Sequence, residues 1–130
     1  MQNKTRESEF LIPFSKIKNA CLGKHYELSL VFIDNKLSRQ LNKVYRKKNK
    51  PTNILSFPLS KDSGEIFIDL ELAKKEASDF DQTFPNFIGF LFIHGLLHLK
   101  GMQHGSTMEK AESKLRKKFK IHDSSNRNRH

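Results

Sequence analysis

Cysteine is nearly missing from this sequence: among 130 residues there is one, Cys21. A lone cysteine excludes an intramolecular disulfide and any zinc or iron–sulfur site built on several thiolates. It also fits a reducing, cytoplasmic setting. Long apolar runs are missing too. The most apolar stretch, residues 87–99, is thirteen residues long and carries His94 and His98. A membrane span needs about 20 apolar residues, so this stretch is expected to be a buried helix, and no membrane partner is expected. Residues 1–9 are polar and of mixed charge, and three apolar residues at most precede Pro13, which is not the pattern of a signal peptide. Internal repeats and low-complexity segments are absent as well.

What is present suits one ordinary domain over residues 1–130, with 124–130 as a frayed tail. Hydrophobic residues make up 36%, and eleven residues are Phe, enough for one core if the rings are inside. Lys and Arg total 24 against 14 acids, a formal charge of +10 with a pI near 9.8. Such a domain favours polyanions. The charge is unevenly spread. Residues 36–50 hold Lys36, Arg39, Lys43, Arg46, Lys47, Lys48 and Lys50 with no acid among them, and the last helix is basic as well. Residues 61–82 are acidic. Unopposed positive charges repel one another and oppose folding, and a polyanionic partner would offset that cost.

Periodicity predicts the elements. Phe10, Phe14, Ile17 and Cys21 fall at helical spacing, so a helix is expected over 10–22, ending at Gly23. Tyr26, Leu28, Leu30 and Phe32 alternate as a strand over 25–33. Asp34 offers an N-cap for a helix ending near Tyr45, and residues 46–51 read as a basic loop. A short strand over 54–57 is expected to stop at Pro58, followed by a turn over 61–64 and a strand over 65–69. Helices are expected over 70–80 and 84–100, with Gly101 as C-cap of the second. Ser106 and Glu109 read as a capping box for a last amphipathic helix with Met108, Ala111, Leu115 and Phe119 on its apolar face. The fold class is therefore α/β (α+β), a small mixed sheet of about four strands covered by helices.

The sharpest motif is His94-Gly-Leu-Leu-His98-Leu-Lys-Gly101-Met-Gln-His104. Residues i and i+4 share one helix face, so His94 and His98 can point at one ion. Gly101 lets the backbone leave the helix, and His104 can swing back as a third ligand. Three neutral imidazoles suit one Zn²⁺ and leave a fourth tetrahedral position open, the layout of a catalytic site. A lone His on an apolar face is ordinarily a packed core residue, but three at ligand spacing are not explained that way. The helix is zincin-like, since the spacing is that of the metzincin proteases. Those enzymes need Glu directly after the first His as general base, and here Gly95 stands there, so peptide hydrolysis by that route is not supported.

Together with a second block, Tyr45-Arg-Lys-Lys-Asn-Lys-Pro-Thr-Asn-Ile-Leu-Ser-Phe-Pro58, and a third, Gly64-Glu-Ile-Phe-Ile68, the chain resembles the bacterial endoribonuclease YbeY family over about residues 26–120. Met102-Gln103 stands where that family commonly has Tyr-Asp, and Ile54 where it has Val. The resemblance implies a zinc-binding domain acting as a single-strand endoribonuclease. The implied partners are single-stranded RNA, the ribosomal RNA precursor and the small ribosomal subunit, and the implied roles are 16S maturation and ribosome quality control. Arg46 falls on the family's functional Arg, and a guanidinium suits the task because it grips phosphate with two parallel hydrogen bonds and stays charged. His94, His98 and His104 are the expected metal ligands. Lys43, Lys47, Lys48 and Lys50 are expected to hold the flanking RNA backbone. Nothing in the sequence brings the last helix to the metal, and no general base is evident. The competing reading is a non-catalytic RNA- or ribosome-binding protein that uses zinc for stability.

Overall fold

A computed structural model of the chain describes residues 2–3 and 11–121. The elements in order are β1 (Gln2–Asn3), α1 (Phe14–Leu22), β2 (Glu27–Ile33), α2 (Asn35–Arg46), β3 (Ile54–Ser60), β4 (Ser63–Asp69), α3 (Leu70–Asp79), α4 (Phe84–Leu99) and α5 (Ser106–Lys118). The sheet runs β1-β2-β4-β3. β1 and β4 lie parallel to β2, and β3 is antiparallel to β4, so the sheet is mixed. Three of its strands have seven residues each, whereas β1 has two. The expected sheet of about four strands is thus three full strands with a two-residue edge pairing. The tail at 124–130 and Phe10 lie outside the described residues.

Alternation along the strands separates two faces. Leu28, Leu30, Ile66 and Ile68 are buried on one, with Ile54 half-buried beside them. Each fully buried Leu or Ile contributes about 1.5–3 kcal/mol relative to exposure. The helix α4 lies over this face. Its Phe92 meets Phe14 of α1 edge to face, with ring centroids 4.9 Å apart. On the other face Phe67 and Phe57 pack in sequence against Tyr45 of α2. α2 is capped as expected, Asp34 accepting from the Leu37 N–H at 2.9 Å. The buried Asp69 carboxylate caps α3 by accepting from Leu72 N–H, and it also accepts from the Ser38 hydroxyl at 2.7 Å, tying α2 to α3.

Several boundaries differ from the sequence reading: α1 starts at Phe14 rather than at residue 10, β2 at Glu27 rather than 25, and β4 at Ser63 rather than 65. β3 does not stop at Pro58 but continues to Ser60. It is the edge strand, so the missing proline N–H removes nothing required on that side, and the register shifts between Pro58 and Ser60. Arg46 is not in the loop but is the last residue of α2, and Lys47 closes the helix in the left-handed region at φ 59°. No capping box opens α5: Gly105 is the N-cap, no side chain caps it, and Ser106 is already helical.

Candidate metal centre

α4 approaches the sheet at Gly95. A methyl group placed there would meet Ile54 Cδ1 at 2.7 Å, Ser56 Oγ at 3.0 Å and Ile66 Cδ1 at 3.1 Å. The helix therefore sits where only a glycine fits. The glutamate that a metzincin protease needs at this position would be driven into β3 and β4. With Gly95 against the sheet, His94 and His98 lie on the rim of a cleft.

The end of α4 brings in the third histidine. Gly101 N–H donates to His98 O and Met102 N–H to Leu97 O, both at 3.0 Å, with Gly101 at φ 99°. This is a Schellman turn, and its left-handed residue is the expected Gly101. The chain reverses and carries His104 back beside the helix. The ring centroids of His94, His98 and His104 are 4.6, 5.2 and 4.8 Å apart. One ring nitrogen from each lies within 4.8 Å of the other two. His94 Nε2 and His98 Nε2 are 3.1 Å apart. Nitrogens bound tetrahedrally at about 2.0–2.1 Å stand about 3.4 Å apart, so the three residues fit one metal ion.

The protonation chemistry fits as well. Burial pushes the His98 imidazole below its ordinary value, with further lowering from His94, His104 and Arg46 outweighing a backbone hydrogen bond at Met102. A lowered pKa keeps the ring neutral, the form that binds metal. His94 Nδ1 lies 3.0 Å from Glu112 Oε2. An ionised carboxylate only accepts, so Nδ1 donates and Nε2 of the neutral ring presents its lone pair to the other two histidines. Glu112 belongs to α5, so the last helix does reach the centre, contrary to the sequence reading. It does so because α5 packs on α4: Arg116, one turn beyond Glu112, lies with its guanidinium carbon 4.7 Å from the centre of the Phe90 ring. No local pattern around Glu112 signals this contact across eighteen residues.

The cleft has a volume of about 470 Å³, and Arg46 lines it together with the three histidines. Thr52, Asn53, Ile54 and Ser56 of the β3 side form the opposing wall. Ser56 Oγ donates to Gly95 O at 3.3 Å, a packing role. A smaller cleft of about 250 Å³ adjoins, lined by Arg46, Thr52, Lys48 and Lys50 among others. Asn42 Nδ2 donates to Lys50 O at 2.8 Å and Arg39 Nε to Asn49 Oδ1 at 3.0 Å, which hold this loop against α2. Lys43 and Lys47 are exposed and line neither cleft. Of the four expected RNA-binding lysines, the fold thus gathers Lys48 and Lys50 with Arg46.

A family model described as Endoribonuclease YbeY matches residues 3–124. Proteins named Endoribonuclease YbeY are similar to the chain. That of Ehrlichia canis is 42% identical over 104 residues, covering 72% of this chain and 68% of its own length. That of Acholeplasma laidlawii is 40% identical over 89 residues, covering 65% of each, just under two thirds of its length. That of Staphylococcus aureus is 31% identical over 121 residues, covering 82% and 77%. The name denotes a hydrolase acting on RNA. In fold, the chain is similar to the solution structure of TM1509 from Thermotoga maritima, with a TM-score of 0.65 over 95% of this chain and 94% of that one at 21% identity. With the family model matching nearly the whole length, the chain belongs to the YbeY endoribonuclease family.

Proposed function

We propose that this chain is a zinc-dependent endoribonuclease that cuts single-stranded RNA, with His94, His98 and His104 as metal ligands and Arg46 as the phosphate-binding catalytic residue. The observation that carries the reading is the cleft itself, where one guanidinium and three imidazoles face the same space. Bound there, zinc would supply Lewis-acid polarisation of a phosphoryl oxygen. Arg46 neutralises charge that builds on the same phosphate as the bond breaks, and its planar fork fixes the phosphate's orientation. Glu112 holds the His94 ring in the metal-binding tautomer. Lys48 and Lys50 bind the neighbouring phosphates, with Lys43 and Lys47 adding to the field farther out.

Single strands are favoured because one phosphate must enter the cleft with its neighbouring base free of a pairing partner, which a stacked duplex resists. The substrate in the cell is the ribosomal RNA precursor on the small ribosomal subunit in the cytoplasm, and the role is 16S maturation and ribosome quality control. The family membership and the net charge of +10 support this reading. The test is cleavage of one labelled RNA as a free strand and annealed to its complement, by the wild-type protein and by His98→Ala. Cutting of the free strand alone, lost in His98→Ala, is the expected result. Equal cutting by both proteins would place the activity elsewhere. Binding with no turnover at any metal loading would favour a zinc-stabilised RNA-binding protein instead.

A further inference from the structure

Beside the histidine cleft lies a second one, of about 560 Å³, with different walls. The two meet along Asn53 and Phe90, which line both. The volume falls among those of small-ligand sites, about 300–1,000 Å³. One side is aromatic. Phe80 stacks on Phe87 with ring centroids 6.2 Å apart and planes at 22°. Phe87 is buried, whereas Phe80 is 58% exposed, so a large ring is held open on a fixed support. The polar lining holds three carboxylates, Glu76, Glu109 and Glu112, and one guanidinium, Arg116, 3.8 Å from Glu112; Glu76 accepts from Asn53 Nδ2, and Glu112 also faces His94.

With three carboxylates to one guanidinium the cleft is net acidic and suits an uncharged group better than a phosphate, and it parts from the basic track at Asn53 and Glu76, which also line the smaller cleft with Lys48 and Lys50. Carboxylates accept hydrogen bonds from uncharged N–H groups. An open aromatic face beside carboxylate and amide acceptors suits a nucleobase, which stacks by its face and is read along its edge. We propose that this cleft receives the base of the nucleotide next to the cut phosphate, and that it prefers bases with amino donors, guanine above all, over uracil. The N1–H and N2–H₂ groups of guanine lie side by side and match one carboxylate. Uracil instead presents a single N–H flanked by two carbonyl oxygens, which a carboxylate repels. The shared wall at Asn53 and Phe90 puts the base and phosphate positions side by side, as two parts of one nucleotide require. Phe80 serves as the stacking platform, and Glu109 reads the base edge, beside Gln82, whose Oε1 accepts from Asn86 Nδ2 at 2.6 Å. This inference rests on the nuclease reading above for its substrate, but the base contact can be measured without cleavage.

The test titrates the zinc-loaded full chain with guanosine, adenosine, cytidine and uridine, following backbone amide shifts. Nucleosides carry no phosphate, so Arg46 and the histidines have nothing to hold. Guanosine is expected to shift the amides of Gln82 and Ser113 and to bind at least fivefold tighter than uridine. Phe80→Ala is expected to weaken guanosine about tenfold at unchanged zinc content, and Glu109→Gln to level guanosine and uridine. In parallel, RNAs with G or U beside each phosphate are cut by the wild type, with an expected preference near tenfold in kcat/KM that shrinks in Phe80→Ala. Shifts confined to other surfaces, or a base preference unchanged in Phe80→Ala, would overturn the inference. If guanosine binds the cleft but no RNA is cut, the base site stands and the nuclease reading falls. If RNA is cut with no base dependence and no nucleoside shift in the cleft, the reverse holds.

Discussion

His94 Nδ1 and Glu112 Oε2 stand 3.0 Å apart, joining the helix that carries two of the three histidines to the last helix of the described chain. This contact gives α5 a part in the centre. Glu112→Ala is expected to lower zinc affinity about 10–100-fold, the usual cost of removing a partner that orients a ligand histidine. Glu112→Gln, which can still accept through its amide oxygen, should lose less. A competition titration against a chromophoric chelator reads both. Equal affinity in all three proteins would mean that the contact orients nothing.

Arg46→Ala is expected to keep the fold and the zinc while RNA cleavage falls at least 100-fold, the scale of losing one preorganised donor to a transition-state oxygen. Arg46 is exposed at the end of α2, so the stability change should stay within about 0.5 kcal/mol. Arg46→Lys should rescue poorly, because an ammonium lacks the planar fork. Single-turnover cleavage with zinc analysis of the same samples measures this, and full activity in the lysine variant would reduce Arg46 to a diffuse surface charge.

The placement of the lysines gives a salt prediction. If about four phosphates of a single strand are neutralised, log K falls with log[salt] at a slope near −0.7 × 4, about −3. Lys48→Ala with Lys50→Ala should flatten the slope by about 1.4, and Lys43→Ala with Lys47→Ala by less, since these two line neither cleft. Fluorescence anisotropy against salt reads the slopes. A loss confined to a Lys114/Lys117/Lys118 triple variant would put the RNA on the outer face of α5.

Two glycines shape the site in different ways. Gly101→Ala meets no atom within 4 Å, so its cost is the left-handed backbone alone, about 1–2 kcal/mol. Gly95→Ala collides with Ile54 and Ser56 and is expected to cost about 1–3 kcal/mol as overpacking. Urea unfolding of the metal-free proteins measures both, and zinc binding should weaken in each because a histidine moves. Wild-type stability in Gly95→Ala would show that α4 can lift from the sheet without loss.

The lowered pKa of His98 gives the metal-free protein one pH-dependent contribution to stability. Its unfolded value is near the ordinary 6.5 and its folded value is lower. Below 6.5 the unfolded chain binds more protons than the folded one, so stability falls as pH drops through this window and is fully present above it. Zinc affinity should fall over the same range, since each ligand must be neutral. Urea midpoints from pH 8 to 5, beside His98→Asn, test the sign. A midpoint independent of pH in the wild type, or equally steep in the variant, would contradict it.

The centre was legible where chemistry leaves a local pattern. His94 and His98 at i and i+4, then Gly101, then His104, compress three histidines that could hold a metal into eleven residues, and helix geometry brings them together. Arg46 was legible through its family block, although its place at the end of α2 was not, because a helix terminus depends on the Lys47 left-handed turn. Pro58 misled for a tertiary reason: a proline ends a central strand but not an edge strand, and only the sheet order makes β3 an edge. Ser106 and Glu109 matched a capping pattern, yet Gly105 took the cap. Glu112 and the Phe80–Phe87 stack were hidden because they arise where α3, α4 and α5 pack together, and no periodicity within one element encodes that meeting.

The central claim is that the three histidines hold a metal beside Arg46 and that RNA is cut there. The most direct measurement is single-turnover cleavage of one defined single-stranded RNA by metal-stripped protein, before and after adding one equivalent of zinc, with His98→Ala treated alike. The account predicts no cutting without metal, recovery at one zinc per chain, and no recovery in His98→Ala. Cutting by the stripped wild type, or full recovery in His98→Ala, would contradict it.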